Sequence, residues 1–213
     1  MKTILLTIAA FVTIAGNVIA QDNSTDLRER AMIGFKIGAN YSNVYDSDGD
    51  AFVADPKFGF ATGAFFSIPL DKYFGLQPEI LFSQKGFKAT GMLLNDDYNL
   101  TRTTSYIDVP LFLTLKPSEF FTVLAGPQFS YLIHQKDVIS TGTNSVLQEQ
   151  EFERDNIRKN MLCFVAGSDI TIKHAVIGTR IGWDVLNNKG DGTSNTPRYK
   201  NVWYQLTLGY RLY

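Results

Sequence analysis

The stretch "LQPEILFSQKGFK", Leu76 to Lys88, decides the fold. Leu76, Ile80 and Phe82 take the even positions, and Gln77, Glu79, Ser83 and Lys85 the odd ones. Alternation with period two is the signature of a β-strand with two unlike faces. One face is apolar, and the other carries both a carboxylate and an ammonium. Such charges are tolerated in an enclosed space only when they are paired.

The same division repeats along the chain. Tyr204, Leu206, Leu208, Tyr210 and Leu212 oppose Gln205, Thr207, Gly209 and Arg211. Ile177, Ile181 and Trp183 oppose Gly178, Arg180, Gly182 and Asp184; Phe164 and Ile170 oppose Gly167, Asp169 and Thr171. Phe129, Tyr131 and Ile133 oppose Gln128, Ser130 and His134. Val109, Leu111 and Leu113 oppose Asp108 and Phe112, and Phe35 and Ile37 oppose Lys36 and Gly38. Eight strands are predicted, at about 32–44, 57–70, 73–90, 103–117, 119–137, 160–173, 174–187 and 199–213. A short helical turn fits within 145–158.

The connections alternate in length. "PLDKYF", "KPSEFF" and "IKHA" are tight, while 45–56, 91–102, 138–159 and 188–198 are long and polar. In an up-and-down meander this puts all tight turns at one end and all long loops at the other, the form of an outer-membrane barrel. A soluble barrel or sandwich shows the same alternation with the apolar face inside, so a ligand-binding periplasmic barrel is the competing architecture. Three features favour lipid. The polar face is rich in Gly and poor in Lys and Glu. Its charges nearly balance: Lys36, Lys85, Arg180 and Arg211 against Glu79, Asp108, Asp169 and Asp184. Aromatic residues gather near strand ends, as interface girdles do. The expected fold is all-β, an eight-stranded antiparallel transmembrane barrel over 32–213. An eight-stranded barrel is narrow enough for side chains to fill, so those eight charged residues are expected to form an internal salt-bridge network. Symmetric pairing about a loop at 91–102 would bring Lys85 near Asp108. Pro78, Pro110 and Pro127 interrupt strands, where each marks either a bulge or an unpaired ladder position.

The start "MKTILLTIAAFVTIAGNVIAQ" has a basic residue, an apolar run and small or apolar residues at Val18 and Ala20. Residues 1–20 therefore fit a cleaved export signal, and the polar stretch 21–31 a flexible tail. The chain of 213 residues has 20 basic and 21 acidic residues, so nothing in its charge calls for nucleic acid. Charged residues are 19% against 45% hydrophobic, low for a soluble domain. The single cysteine, Cys163, excludes an internal disulfide and a cysteine-based zinc site.

"LQPEILFSQKGFK", with "SYIDVPLFLTLKP" and "AGPQFSYLI", resembles the PorT-like outer-membrane β-barrel family of Bacteroidota-type bacteria. The resemblance covers about 32–213. It implies an eight-stranded barrel in the Gram-negative cell envelope, mostly without assigned activity. The family's namesake takes part in protein secretion across the outer membrane, so a secretion accessory is an alternative role. The ending "TLGYRLY" resembles the signal read by the barrel-assembly machinery, with Tyr210, Leu212 and Tyr213 as its candidates. Tyr213 shares parity with Arg211 rather than with the lipid-facing set.

Chemistry is sparse. Ser130 and His134 lie about 13 Å apart along a strand, too far for a nucleophile and its base. "DSDGD", Asp46 to Asp50, spaces carboxylates as calcium ligands are spaced but lacks the rest of an EF-hand loop, and reads as a solvated turn. No catalytic residue, metal or cofactor is assigned. The expected role is structural or interaction-based, through extracellular loops such as the long one within 138–159. Its partners would be outer-membrane lipid, the assembly machinery, and an extracellular or secretion-system protein. A narrow channel and a lipid-modifying enzyme are further alternatives.

Overall fold

The computed structural model describes residues 26–46, 54–93, 96–141, 144–149, 158–188 and 199–212. A 3-10 turn at Leu27–Glu29 precedes nine strands: β1 Met32–Asp46, β2 Ala54–Pro69, β3 Phe74–Leu93, β4 Asp96–Leu115, β5 Phe121–Thr141, β6 Asn144–Glu149, β7 Asn160–Ile172, β8 Ala175–Asp184 and β9 Tyr199–Leu212. Every pairing is antiparallel. Eight strands close into a barrel, because β1 pairs with β9 and β4 with β5. The short β6 stands outside this count and pairs with the distal half of β5 after β7 has left it.

The parity of the sequence becomes inside and outside. Phe35, Ile37, Leu113, Leu206, Leu208 and Tyr210 are each about half exposed on the outer wall, while Lys36, Asn40, Lys85, Asp108, Arg180 and Trp203 are buried. The polar residues are thus the enclosed ones, which is the arrangement of a barrel whose wall faces hydrocarbon.

Two strands shift register, between Pro56 and Ala61 in β2 and between Ser105 and Tyr106 against β5. Neither bulge falls at Pro78, Pro110 or Pro127. Pro78 lies where the β2–β3 ladder is interrupted between Phe65↔Glu79 and Ile68↔Leu76. Pro110 lies in a gap of β3–β4, between Pro78↔Leu111 and Leu81↔Asp108. Pro127 lies in a gap of β4–β5, between Pro110↔Gln128 and Leu113↔Ala125. Register is the same on both sides of each gap. The missing N–H of proline is therefore met by unpaired ladder positions and not by bulges.

Several expectations are corrected. Residues 91–93 and 96–102 are strand, so the expected loop at 91–102 shrinks to a hairpin in which Leu93 pairs with Asp96. Strand likewise replaces loop at 138–141 and 144–149, and so excludes the helical turn from 145–149. The described part of the expected flexible tail holds the 3-10 turn, with Asp26 accepting from the Arg28 N–H at 3.0 Å. Beyond the bulge in β5 the inward series passes from Ser130 and Leu132 to Gln135 and Asp137, so His134 leaves the inner face on which alternation had put it.

Candidate functional site

The interior is filled by polar layers stacked from the short-turn end to the long-strand end. At the short-turn end Lys116 is buried, and its Nζ donates to the Arg28 carbonyl at 3.3 Å and the Ser67 hydroxyl at 3.1 Å. Burial, aided by Arg211, pushes the Lys116 ammonium down to about 8. The same segment is tied from outside. Lys72 meets Asp26 at 3.3 Å, and the Arg28 guanidinium lies 5.3 Å from the Tyr73 ring centroid. The Arg28 side chain and N–H hold the Asp26 carboxyl well below the usual carboxylate range. Residues 26–31 thus cross the mouth as a strap.

The next layer is a four-membered charge cluster. Lys36 on β1 meets Glu79 on β3 at 2.6 Å. Glu79 also faces Arg180 on β8 at 3.7 Å, and Arg180 binds Asp169 on β7 with both guanidinium nitrogens, at 2.7 and 3.0 Å. Gln77 donates to Glu79 at 2.9 Å. Phe65 and Phe112 border the cations, with centroids 5.3 Å from Lys36 Nζ and 5.5 Å from Arg180. Four strands contribute one charge each, so the cluster ties the wall together across its diameter.

Above it, a bridge of neutral groups links Gln205 to Asn40 and Asn40 to Ser83, each bond at 2.9 Å. Then comes a single pair. Lys85 Nζ lies 3.2 Å from Asp108, 3.7 Å from the Trp203 ring centroid and 4.9 Å from that of Tyr106. Gly182 makes room for the indole: a Cβ there would stand 2.3 Å from the Trp203 ring. Asp184 is held by neutral donors, the Asn201 N–H at 2.9 Å and the Cys163 thiol at 3.1 Å. Near the long-strand end Arg102 forms a two-pronged contact with Asp137, at 2.8 and 2.7 Å, and reaches the Tyr199 hydroxyl at 3.2 Å.

The eight charged residues expected to form one network are therefore placed in separate groups. Lys36, Glu79, Asp169 and Arg180 come together, and Lys85 pairs with Asp108. Asp184 sits among neutral donors, and Arg211 lies at the short-turn end with its Nε donating to the Lys173 carbonyl at 2.7 Å. Tyr210 and Leu212 lie exposed on the outer wall, while Tyr213 is outside the described residues. Of "DSDGD", Asp46 ends β1 and 47–50 lie outside the described residues. Ser130 accepts from Gln128 at 3.0 Å, on the inner face that His134 has left.

Alternation alone did not yield Arg102, Asp137 and Lys116. The first lay in what read as loop, the second beyond a bulge, and the third in a turn. An apolar cluster around Tyr106, Phe112, Leu124, Leu132 and Trp203 was also missed. Its signal was present, since Trp203 shares parity with Gln205 and Leu124 with Gly126.

Residues 19–208 match the family model described as outer membrane protein beta-barrel domain. Among curated proteins, none matches. Several solved structures are similar to this chain. Ail of Yersinia pestis, crystallised with the heparin analogue sucrose octasulfate, is 15% identical, with 85% of this chain and 99% of that chain covered and a TM-score of 0.47. Neisserial surface protein A is 9% identical, with 85% and 99% covered and a TM-score of 0.49. OprG of Pseudomonas aeruginosa is 14% identical, with 88% and 100% covered and a TM-score of 0.44.

Proposed function

The chain belongs to the outer membrane protein beta-barrel domain family, and from that premise we propose that it is a non-conducting scaffold presenting an interaction surface on the cell exterior. The carrying observation is a mismatch of strand lengths. β3, β4 and β5 run 20, 20 and 21 residues, while β8 has 10. About 9–11 tilted residues cross the hydrocarbon, so one side of the barrel wall continues well past the bilayer. The extension lies at the end opposite the tight turns, which is the outer end in barrels of this kind. The segment at 1–20, with its signal-like pattern, supports export, and the outward Tyr210 and Leu212 support handling by the barrel-assembly machinery.

The layered ion pairs favour a plug over a pore, and purified protein in planar bilayers is expected to give no steady conductance. The exposed Asn99, Lys136 and Lys72 test the orientation. In intact cells a membrane-impermeant maleimide should label Asn99→Cys and Lys136→Cys but spare Lys72→Cys at a tight turn. Crosslinkers placed at the first two positions then capture the partner. Labelling of Lys72→Cys alone would invert the barrel and sink the proposal.

A further inference from the structure

On the outer wall a groove of about 440 Å³ crosses β8, β9, β1 and β2 beside the β7–β8 turn. Its walls are Phe35, Ile37, Leu208 and Tyr210, and the smaller Ala175 and Thr62 line an open trough between them. Three strand spacings make it about 14 Å across, a length suited to part of an acyl chain. It opens toward the turn, since Ala175 follows His174 and pairs with Tyr210. The His174 ring stacks on Tyr210, with centroids 5.2 Å apart and planes 9° from parallel, which extends the apolar wall to the headgroup level.

That turn is basic. Lys173 is exposed, and it has a φ of 54°, a left-handed conformation held by no other non-glycine residue among those described. A two-residue hairpin turn normally puts Gly, Asn or Asp at such a position. A lysine there accepts backbone strain, two residues before Ala175 of the groove's lining. The His174 Nδ1 donates to the Arg211 carbonyl at 3.1 Å, fixing the imidazole beside it.

We infer that this groove seats one anionic glycerophospholipid of the periplasmic leaflet. An acyl chain lies between Phe35, Ile37, Leu208 and Tyr210, and the phosphate rests against Lys173 and His174. The apolar walls alone would hold any lipid, and the basic rim selects the anionic one.

The test is native mass spectrometry of the full mature barrel released from nanodiscs of equimolar phosphatidylglycerol and phosphatidylethanolamine. The wild type should retain phosphatidylglycerol in excess by about fivefold, the weight of one basic side chain at an anionic surface. Lys173→Gln should abolish the preference, and Ala175→Trp, which fills the groove, should abolish retention itself. Heat-modifiable migration on a gel verifies that each variant is folded. Retention of both lipids in their nanodisc proportion by the wild type overturns the inference, and so does a preference that survives Lys173→Gln.

Discussion

Lys85 and Asp108 form a closed ion pair at 3.2 Å although their backbones are not opposite one another. In the β3–β4 ladder Lys85 faces Thr104, and Asp108 faces Leu81. The pair is made diagonally, four positions out of register, because the lysine stem is long and the barrel is narrow. Each side chain is only 1% exposed, and Trp203 and Tyr106 cover the ammonium. Removing one partner leaves the other charge buried alone. Lys85→Met should therefore destabilise the barrel by about 3–5 kcal/mol. Lys85→Met combined with Asp108→Leu should lose less than either single change, because no charge is then stranded. Urea midpoints in lipid vesicles measure both, and a double variant as unstable as the sum of the singles would show that the two residues act apart.

Glu79 is the hinge of the larger cluster. It faces Lys36 at 2.6 Å and Arg180 at 3.7 Å, so Glu79→Gln leaves two cations sharing Asp169 alone. Asp169→Asn leaves Glu79 between the same two cations. Arg180 grips Asp169 with two nitrogens but Glu79 only at longer range, yet Lys36 depends on Glu79. Each single change is expected to cost about 3 kcal/mol or more, and the two together should exceed the sum, because each single variant still leaves one carboxylate to both cations. Full additivity in a double-mutant cycle would argue that Lys36–Glu79 and Arg180–Asp169 are independent pairs.

Alternation made the wall and most of this interior legible, because a strand buried on one side has a period of two that one misplaced residue cannot hide. Tyr204 to Leu212 and Gly178 to Asp184 read directly as outside and inside. The Lys85–Asp108 contact was anticipated through a register the structure does not use. The strands continue to Leu93 and Asp96, and the polar composition of 91–102 hid that continuation. Beyond the bilayer the outward positions, such as Thr101 and Thr103, are polar while Arg102 and Asp137 stay buried inside, so the apolar-out, polar-in period is lost and both residues fell outside the pattern. One extra residue in β5 did the rest by reversing the parity beyond Leu132.

The Arg102–Asp137 contact depends on shape as well as charge. Two nitrogens of one planar group meet two oxygens of one carboxylate, and a third donor reaches Tyr199. Lysine keeps the charge but cannot reproduce that fork. Arg102→Lys should therefore speed amide exchange at the outer ends of β4, β5 and β9 while leaving the β1–β2 ladder protected. Hydrogen exchange read by mass spectrometry tests this, and uniform protection in the variant would make the contact incidental.

Gly182 and Trp203 fit by absence of a side chain. Alanine at 182 would put a methyl 2.3 Å from the indole, so the ring must move. Overpacking of this kind costs about 1–3 kcal/mol, and it also lifts the aromatic cover from Lys85. Gly182→Ala should lower the urea midpoint and alter the Trp203 emission. Trp183, on the outer wall, is the second tryptophan and must be replaced by phenylalanine to read Trp203 alone. An unchanged emission would mean that the backbone, and not the ring, had yielded.

Lys116 gives the strap a dependence on pH. Its ammonium is buried against the Ser67 hydroxyl and the Arg28 carbonyl, with Arg211 adding like charge. Glu119 and Asp169 also line the small cavity there. Burial lowers the folded pKa to about 8 from 10.5. Between those values the unfolded chain binds more protons than the folded one, so stability rises with pH through that window. Below about pH 8 both states are protonated, and the penalty of burying the charge is fully present. The difference corresponds to about 3 kcal/mol, reduced in practice by water reaching a site near the mouth. Lys116→Met removes the charge and both its hydrogen bonds. It should flatten the stability profile between about pH 8 and 10.5, so that the difference between variant and wild type moves in the variant's disfavour as pH rises. Parallel profiles for the two proteins across that window would mean that Lys116 titrates alike in the folded and unfolded chains, and that the strap is held by the Asp26, Arg28 and Lys72 contacts alone.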